Sequence, residues 1–386
     1  MRVLLLGAGA VGSAIARGVQ EGGVVEHLAV ADIDPTRTAV VPAATTHVLD
    51  ATDQSAIEAL ARAERVDMIV NACDPRMNPP IFGAAFAAGC HYLDMAMNLS
   101  APGHLLGEAQ LAASDAWRER GLLALVGMGV EPGLSDVFAR YAADHLFANV
   151  DEVHVRDGSD LRIDGYGFAP TFSVWTTIEE CLNPGLVWER ERGWFTLPPF
   201  SEPETFVFPE GIGPVECVHV EHEEVVLIPR WVDCNRVTFK YGLGAEFIEV
   251  LRVLDKTGLA STQPIRVRGV EVAPRDVVAA TLPDPAALGE RMHGRTCAGT
   301  YVTGTGIDGK RRAAYLFHVA DNQETMARHG MQAVAWQTAI NPVIALELLA
   351  LGKWHGAGVL GPEAFDSVPF LDHLRARGEE WKIEER

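Results

Sequence analysis

The chain of 386 residues has no Cys-x-x-Cys pair, no internal repeat and no low-complexity linker. It also has no unbroken apolar run of membrane-spanning length, about 18 residues. Its six cysteines, Cys73, Cys90, Cys181, Cys217, Cys234 and Cys297, are scattered. That spacing excludes a zinc ribbon or a dithiol redox centre and predicts free thiols in a reducing cytoplasm. Basic residues are scarce: 32 Lys and Arg against 52 Asp and Glu leave a net charge of −20. Such a surface repels phosphate backbones and anionic lipid, so neither nucleic acid nor a membrane is expected as a partner. The apolar start is short and runs into a glycine turn rather than a cleavage site, so no signal peptide is expected. Residues 333–351 are apolar but carry Gln337, Asn341, Pro342 and Glu347, and read as a buried helix rather than a span.

What is present is globular. Hydrophobic residues make up 48% and charged residues 22%, which rules out a wholly disordered chain. At about 150 residues per domain the length predicts two or three domains. The first strand-like run, Val3-Leu4-Leu5-Leu6, feeds into Gly7-Ala8-Gly9-Ala10-Val11-Gly12, and apolar residues at helical spacing follow. This is the G-x-G-x-x-G of a dinucleotide-binding turn. Gly7 allows the tight turn, Gly9 lets the backbone approach a pyrophosphate, and Gly12 lets helix and strand pack closely, while N–H groups around Ala10 and Val11 face the phosphates. Asp32 ends the next predicted strand, where an acid binds the adenosine ribose and disfavours a 2′-phosphate. The reading therefore leans to NAD, with NADP kept open by Arg37.

Further strands are predicted at 46–50, 66–70, 90–96 and 122–127, with helices between them and Asp53 as a cap. The alternation implies a doubly wound parallel sheet of the Rossmann kind. Asp50 and Ala51, and then Asn71 and Ala72, fall at strand carboxyl ends, the edge at which such sheets bind ligands. Glycines and a proline break the pattern at 127–136, and a helix over 137–147 is taken as the crossing into a mixed α+β substrate domain. That domain is built on strands at 150–156, 216–228, 236–241 and 265–272, largely antiparallel. A helix over 245–255, a hairpin about Asp308-Gly309 and a helix over 325–351 complete the pattern. The expected domains are 1–128, 129–324 and a helical 325–386 that returns to the first.

Asp94, at a strand end on the ligand side, is the candidate acid/base or ammonium-binding carboxylate, the alternative being a cap or structural hydrogen bonder. Glu131, Trp175, Glu221 and His222 are the candidate substrate contacts. On a strand, His219-Val220-Glu221-His222 puts His219 and Glu221 on one face and His222 on the other, which is not a helical two-histidine zinc site, so no metal is expected. Tyr166 and Arg230 are weaker pocket candidates, and Cys73 and Cys90 read as buried rather than reactive.

In the order of these segments the chain resembles the saccharopine dehydrogenase family. The marks are the glycine turn, Tyr92-Leu93-Asp94, Gly129-Val130-Glu131-Pro132-Gly133-Leu134, Gly213-Pro214-Val215-Glu216, Val272-Ala273-Pro274-Arg275-Asp276, the late helix with Trp336, Gln337 and Pro342, and Gly358-Val359-Leu360-Gly361-Pro362-Glu363. The resemblance implies a dinucleotide domain closed by C-terminal helices, a substrate domain that forms a homodimer, and NAD(P)-dependent oxidation or reductive formation of a C–N bond on an amino acid or polyamine. It also implies Asp94 as the acid/base. Two other readings stand beside it: an opine-type or sugar dehydrogenase sharing only the first domain, and a metabolite sensor that binds dinucleotide without turnover.

Overall fold

The computed structural model describes residues 1–386 and builds them around two large sheets. In the first, strands β1 (Arg2–Leu6), β2 (His27–Asp32), β3 (Thr45–Val48), β4 (Met68–Asn71), β5 (His91–Asp94) and β6 (Leu123–Leu125) are joined by a late strand, Gly358–Leu360. The spatial order is Gly358–Leu360, β6, β5, β4, β1, β2, β3, and every pair is parallel. The chain winds outward from β1 through β2 and β3, then returns to the other side of β1 with β4. That reversal opens a crevice at the carboxyl ends of β1 and β4, where ligands bind in sheets of this class.

Burial explains why these strands lack alternation. All of β4 and all but the first residue of β1 are buried, because helices cover both faces. On one face helix α1 (Ala10–Gly22) packs against the helix Ala333–Ala350, and Gly18 brings them close: a Cβ there would lie 3.0 Å from Val343. The later helix is long and apolar enough to cross a membrane, yet 78% of it is buried within the protein. Three of its polar side chains find partners: Gln337 donates to the His318 carbonyl (3.1 Å), Asn341 donates to the Gln337 carbonyl (2.7 Å), and Glu347 pairs with Arg377.

The second sheet has nine strands. Its main path runs Gly193–Leu197, Gly185–Glu189, Arg236–Gly242, Phe147–Ser159, Arg295–Gly306, Arg311–Asp321, Trp381–Glu385, with Glu204–Phe208 and Gly213–His219 attached at Arg236–Gly242. Only Arg236–Gly242 and Phe147–Ser159 run parallel. The helix Leu134–His145 connects the sheets and is held to the second by Thr300, whose hydroxyl donates to the Ser135 carbonyl (2.7 Å). The last part of the chain serves both sheets, since Gly358–Leu360 completes the first and Trp381–Glu385 extends the second.

Four elements differ from the sequence expectation, the first being the strand expected at 265–272, which is a hairpin of Ile265–Val267 with Val270–Val272 turning at Arg268-Gly269, both at positive φ. The strand expected at 216–228 ends at His219, and Glu224–Trp231 is a helix. Val225-Val226-Leu227-Ile228 is a short apolar run buried on all sides, and such a run has no periodicity to separate strand from helix. The helix expected over 325–351 is two, because Gly330 closes Asn322–His329 at φ 65° and the Gln332 side chain caps the next. The single helix that the alternation places over about 106–118, ahead of the strand at 122–127, divides at Ala113 into Glu108–Ala112 and Ser114–Glu119.

The glycine turn is the tightest backbone contact in the first sheet. A Cβ on Gly12 would lie 2.0 Å from the Gly7 carbonyl oxygen. Gly12→Ala should therefore cost about 1–3 kcal/mol of stability and abolish cofactor binding, read by denaturant unfolding and by NAD titration. Unchanged affinity would show that the turn is not used.

Candidate active site

The inner side of the turn is crowded and its outer side is open. A Cβ on Gly7, which sits at φ +95°, would approach the Ala72 carbonyl oxygen to 2.7 Å, whereas one on Gly9 would meet only the Arg37 guanidinium at 3.4 Å. The backbone at Gly9 thus faces free space at the amino end of α1, where unpaired N–H groups attract phosphate. Asp32 is fixed beside it: Oδ2 accepts from the Ala8 N–H (2.7 Å) and Oδ1 from the Asp34 N–H (2.8 Å). Each oxygen keeps a lone pair for a ribose hydroxyl.

Three cavities follow the strand ends. One of about 380 Å³ lies over Gly9 and Ala10, is bounded by Arg37, and is roofed from the other domain by Asp284, Gly289 and Gln332. A second, about 390 Å³, is bounded by Gly7, Asp32, Asp50 and Ala51. The third, about 220 Å³, begins at Val11, Asn71 and Ala72 and continues into the second domain. This set fits a dinucleotide: carboxylate beside one cavity, open helix N–H groups at the next, and a reaction chamber at the last. Gly12 borders none of them, because it lies beneath the turn and acts by letting Gly7 close over it. Arg37, paired with Asp284 at 3.1 Å, is the cation available there to a 2′-phosphate or the pyrophosphate.

The third cavity is walled by Glu131, Asp157, Glu180, His222 and Tyr241, with Phe172, Ser173 and Thr176. Each comes from a different element. Asp157 and Tyr241 are paired neighbours on the two parallel strands. Glu180 lies on the helix Val174–Leu182, which Ser173 caps, and Glu131 comes from the loop between β6 and Leu134–His145. His222 occupies the turn between Gly213–His219 and Glu224–Trp231, its ring stacked on Phe239 at 3.8 Å and 9°. Glu224 accepts from Nδ1, so Nε2 is the ring nitrogen left for the cavity.

Burial sets the charge states here. Out of water the ionised carboxyl is disfavoured, which pushes Glu180 up to about 8 and Asp157 to about 6, the latter eased by its hydrogen bond with Glu131; Glu131 itself is driven well above its usual range. Burial alone would neutralise His222, but Glu224, Glu223 and Glu180 outweigh it and raise the imidazolium to about 10. The chamber therefore combines one persistent cation donor with acids poised to release protons when another cation arrives.

The other candidates lie elsewhere. Asp94, the expected acid/base, is 1% exposed and borders none of these three cavities: Oδ1 accepts from the Gly127 N–H (2.7 Å) and Oδ2 from Gln110 (2.8 Å), which ties β5 to the end of β6 in the manner of the structural hydrogen bonder weighed against that role. Trp175 is turned away from the cavity, its ring between the guanidinium groups of Arg76 (4.0 Å) and Arg275 (4.6 Å). On the helix, Thr176 and Glu180 share the inward face while Trp175 and Glu179 share the next one. Glu221 faces the loop at 97–100, accepting from Ser100 (2.9 Å) and Asn183 (2.8 Å), because the chain has left the strand that would have paired its face with His219. His219 is buried against the Phe239 carbonyl (3.2 Å). Tyr166 is exposed beneath Arg291, and Arg230 packs over Trp194. Asn71 is spent on Asn78, Tyr92 and the Cys73 N–H, so only its flank reaches the cavity. Cys73 borders two cavities, but burial pushes its thiol up to about 12. Sequence reading missed Asp157, Glu180 and Tyr241. The one signal available was an acid set among apolar neighbours, as in Asp157 after Val153 and Val155 and Glu180 between Ile178 and Cys181.

Asp94→Asn places an amide N–H₂ against a donor on one side or the other, and Gln110 cannot turn round without losing its bond to the Asn98 N–H (2.7 Å). The substitution should cost about 1–3 kcal/mol of stability while the folded variant keeps its turnover number within a few-fold. A large loss of turnover at unchanged stability would restore the catalytic role.

Residues 3–125 match the saccharopine dehydrogenase NADP binding domain and residues 129–379 the saccharopine dehydrogenase C-terminal domain. A carboxynorspermidine synthase of Vibrio alginolyticus is 30% identical over 343 residues, covering 87% of this chain and 82% of the relative. A carboxyaminopropylagmatine dehydrogenase of Synechocystis is 30% identical over 391 residues, covering 98% and 96%. The fold is shared with apo saccharopine dehydrogenase (L-Glu forming) of Saccharomyces cerevisiae, with a TM-score of 0.70, 14% identity and coverage of 100% and 99%. It is shared equally with a homospermidine synthase of Legionella pneumophila in complex with NAD, with a TM-score of 0.71, 14% identity and coverage of 100% and 91%. Both domains, in order and over almost the whole length, place the chain in the saccharopine dehydrogenase family, as an NAD(P)-dependent oxidoreductase.

Proposed function

We propose that the chain makes or cleaves the C–N bond of a carboxyl-bearing polyamine-type amine by hydride transfer to or from the corresponding imine. The observation that carries this reading is the wall of the third cavity: four carboxyl groups, those of Asp74, Glu131, Asp157 and Glu180, and one imidazole, with no lysine or arginine on it. Such a wall binds cations. An amine, a diamine or a protonated imine is stabilised there, and the charge it brings ionises Glu180 and Asp157 in turn. The names of the curated relatives, both describing carboxyl-bearing amines, point to the same class.

NAD(P), when bound, supplies or accepts the hydride. The chain's own groups handle the rest. Glu180, Asp157 and Glu131 hold the amine end and stabilise the positive charge of the protonated C=N group. His222, charged and backed by Glu224, donates from Nε2 to the hydroxyl that leaves as water when the imine forms, and takes the proton back in the opposite direction. Holding the carbon against the nicotinamide end of the crevice converts a bimolecular encounter into a positioned one.

The self-association surface in this reading is the hairpin Ile265–Val267 with Val270–Val272, an isolated pair of strands whose Ile265, Val267 and Val270 are 52%, 48% and 62% exposed. Two strands alone are marginal in water and call for a partner. Sedimentation equilibrium should give a dimer for the native protein and a monomer for Val270→Asp; a native monomer overturns the assembly. A reducing cytoplasm fits the six free cysteines.

The activity is tested by following reduced cofactor at both pyridine nucleotides, with lysine, saccharopine and carboxyalkylated diamines in the oxidative direction, and diamines with a carboxyl-bearing aldehyde in the reductive one. Turnover should be confined to the polyamine class. The amine KM should fall as pH rises through about 8, because Glu180 in the free enzyme is neutral below that point and gains its charge above it. Glu180→Gln should raise that KM about tenfold or more, flatten its pH dependence and spare the cofactor KM; His222→Gln should lower kcat about 10²-fold. Turnover of lysine or saccharopine alone overturns the substrate class, and cofactor binding without turnover overturns the enzyme reading.

A further inference from the structure

Two segments far apart in the chain, 129–136 and 358–363, each bring one carboxyl group to the same buried point behind the cavity. Asp136 lies in the first turn of Leu134–His145, where Oδ2 accepts from the Gly133 N–H (2.6 Å). Glu363 lies in the short turn Pro362–Ala364, which packs on that helix. Both are 0% exposed. Asp136 Oδ1 and both oxygens of Glu363 have no N–H or O–H donor from any other group, and the two carboxyls face each other. Gly361 makes the room, since a Cβ there would lie 2.4 Å from Glu363 Oε2. Two carboxylates in contact away from water repel, whereas a carboxyl and a carboxylate make a strong hydrogen bond.

The charged groups that face this pair are Glu224 and Arg230, both on Glu224–Trp231. Glu224 is also the link to the chamber: Oε1 accepts from the Ser135 hydroxyl (2.9 Å), next in the chain to Asp136, and Oε2 holds His222 Nδ1. His222 in turn is faced by Glu224, Glu223, Glu180, Glu221 and Asp157.

We infer that Asp136 and Glu363 share a single proton and together act as one fixed negative charge behind Glu224, a positioning pair that keeps the His222 imidazolium charged and directed at the cavity. Burial pushes Glu363 up to about 7 against the downward pull of its hydrogen bond with Asp136, and burial together with the Glu363 charge drives Asp136 well above its usual range, so above about pH 7 one proton stays between them. The pair lies outside the substrate's reach. Its charge is therefore constant while the chamber carboxyls gain and lose protons with each substrate.

This inference rests on His222 as the proton donor, but it is tested by reading the ring's charge directly, so the two fail separately. His222 is titrated by NMR in ring-labelled full-length protein, assigned with His222→Gln. Glu363→Gln should leave the midpoint in place, because Asp136 then carries the charge and the amide donates to it. Asp136→Asn combined with Glu363→Gln removes the charge and should lower the midpoint by about one pH unit. A double variant that titrates like the native protein, or a single variant that shifts as far as the double, overturns the inference. If the double variant does not fold, infrared spectra decide: the native protein at neutral pH should show more protonated-carboxyl intensity than Glu363→Gln, in which the chamber carboxyls are unchanged, and equal intensity in both overturns the shared proton.

Discussion

Five carboxyl groups, those of Asp157, Glu180, Glu221, Glu223 and Glu224, converge on one buried imidazole, His222, and the architecture around the site accommodates that imbalance. A buried charge without a partner is costly, so acids in such a place either take protons or find cations. Glu224 settles the matter for His222. The remaining carboxyls are held short of full ionisation, which leaves the chamber prepared for a cation from outside. In the proposed reaction, the recognition of an amine and the protonation of its leaving group both follow from one constraint.

That constraint explains why the site is assembled from both domains. The carboxyls that line the cavity come from separate elements, while Glu223 and Glu224 behind His222 come from one helix start. Here the parallel strands give Asp157, the helix Val174–Leu182 gives Glu180, a loop from the first sheet gives Glu131, and a strand-to-helix turn gives His222. The last part of the chain contributes to both sheets and carries Glu363 behind the chamber.

The first sheet was legible in the sequence because each of its signals is local. A buried parallel strand is a continuous apolar run, a dinucleotide turn is three glycines at fixed spacing, and Asp32 stands at a strand end, where β2 does stop. The order of motifs similarly identified the family. The catalytic chamber was less legible. Asp94 has the position expected of an acid/base but is occupied by Gly127 and Gln110, and no local pattern shows that a carboxyl is already bonded. Glu221 and His222 exchanged roles once the strand ended at His219, because the face on which a side chain emerges depends on where the element stops.

The amino-acid sequence by itself determined the cofactor half: the glycines, the acid after β2 and the apolar strands require only short stretches of backbone to act. The tertiary structure alone decided the chemical half, because Asp157, Glu180, Tyr241 and His222 become a site only when strands, helix and turn are brought together. Proton affinity there is set by burial and by charges distant in sequence, which no local pattern records.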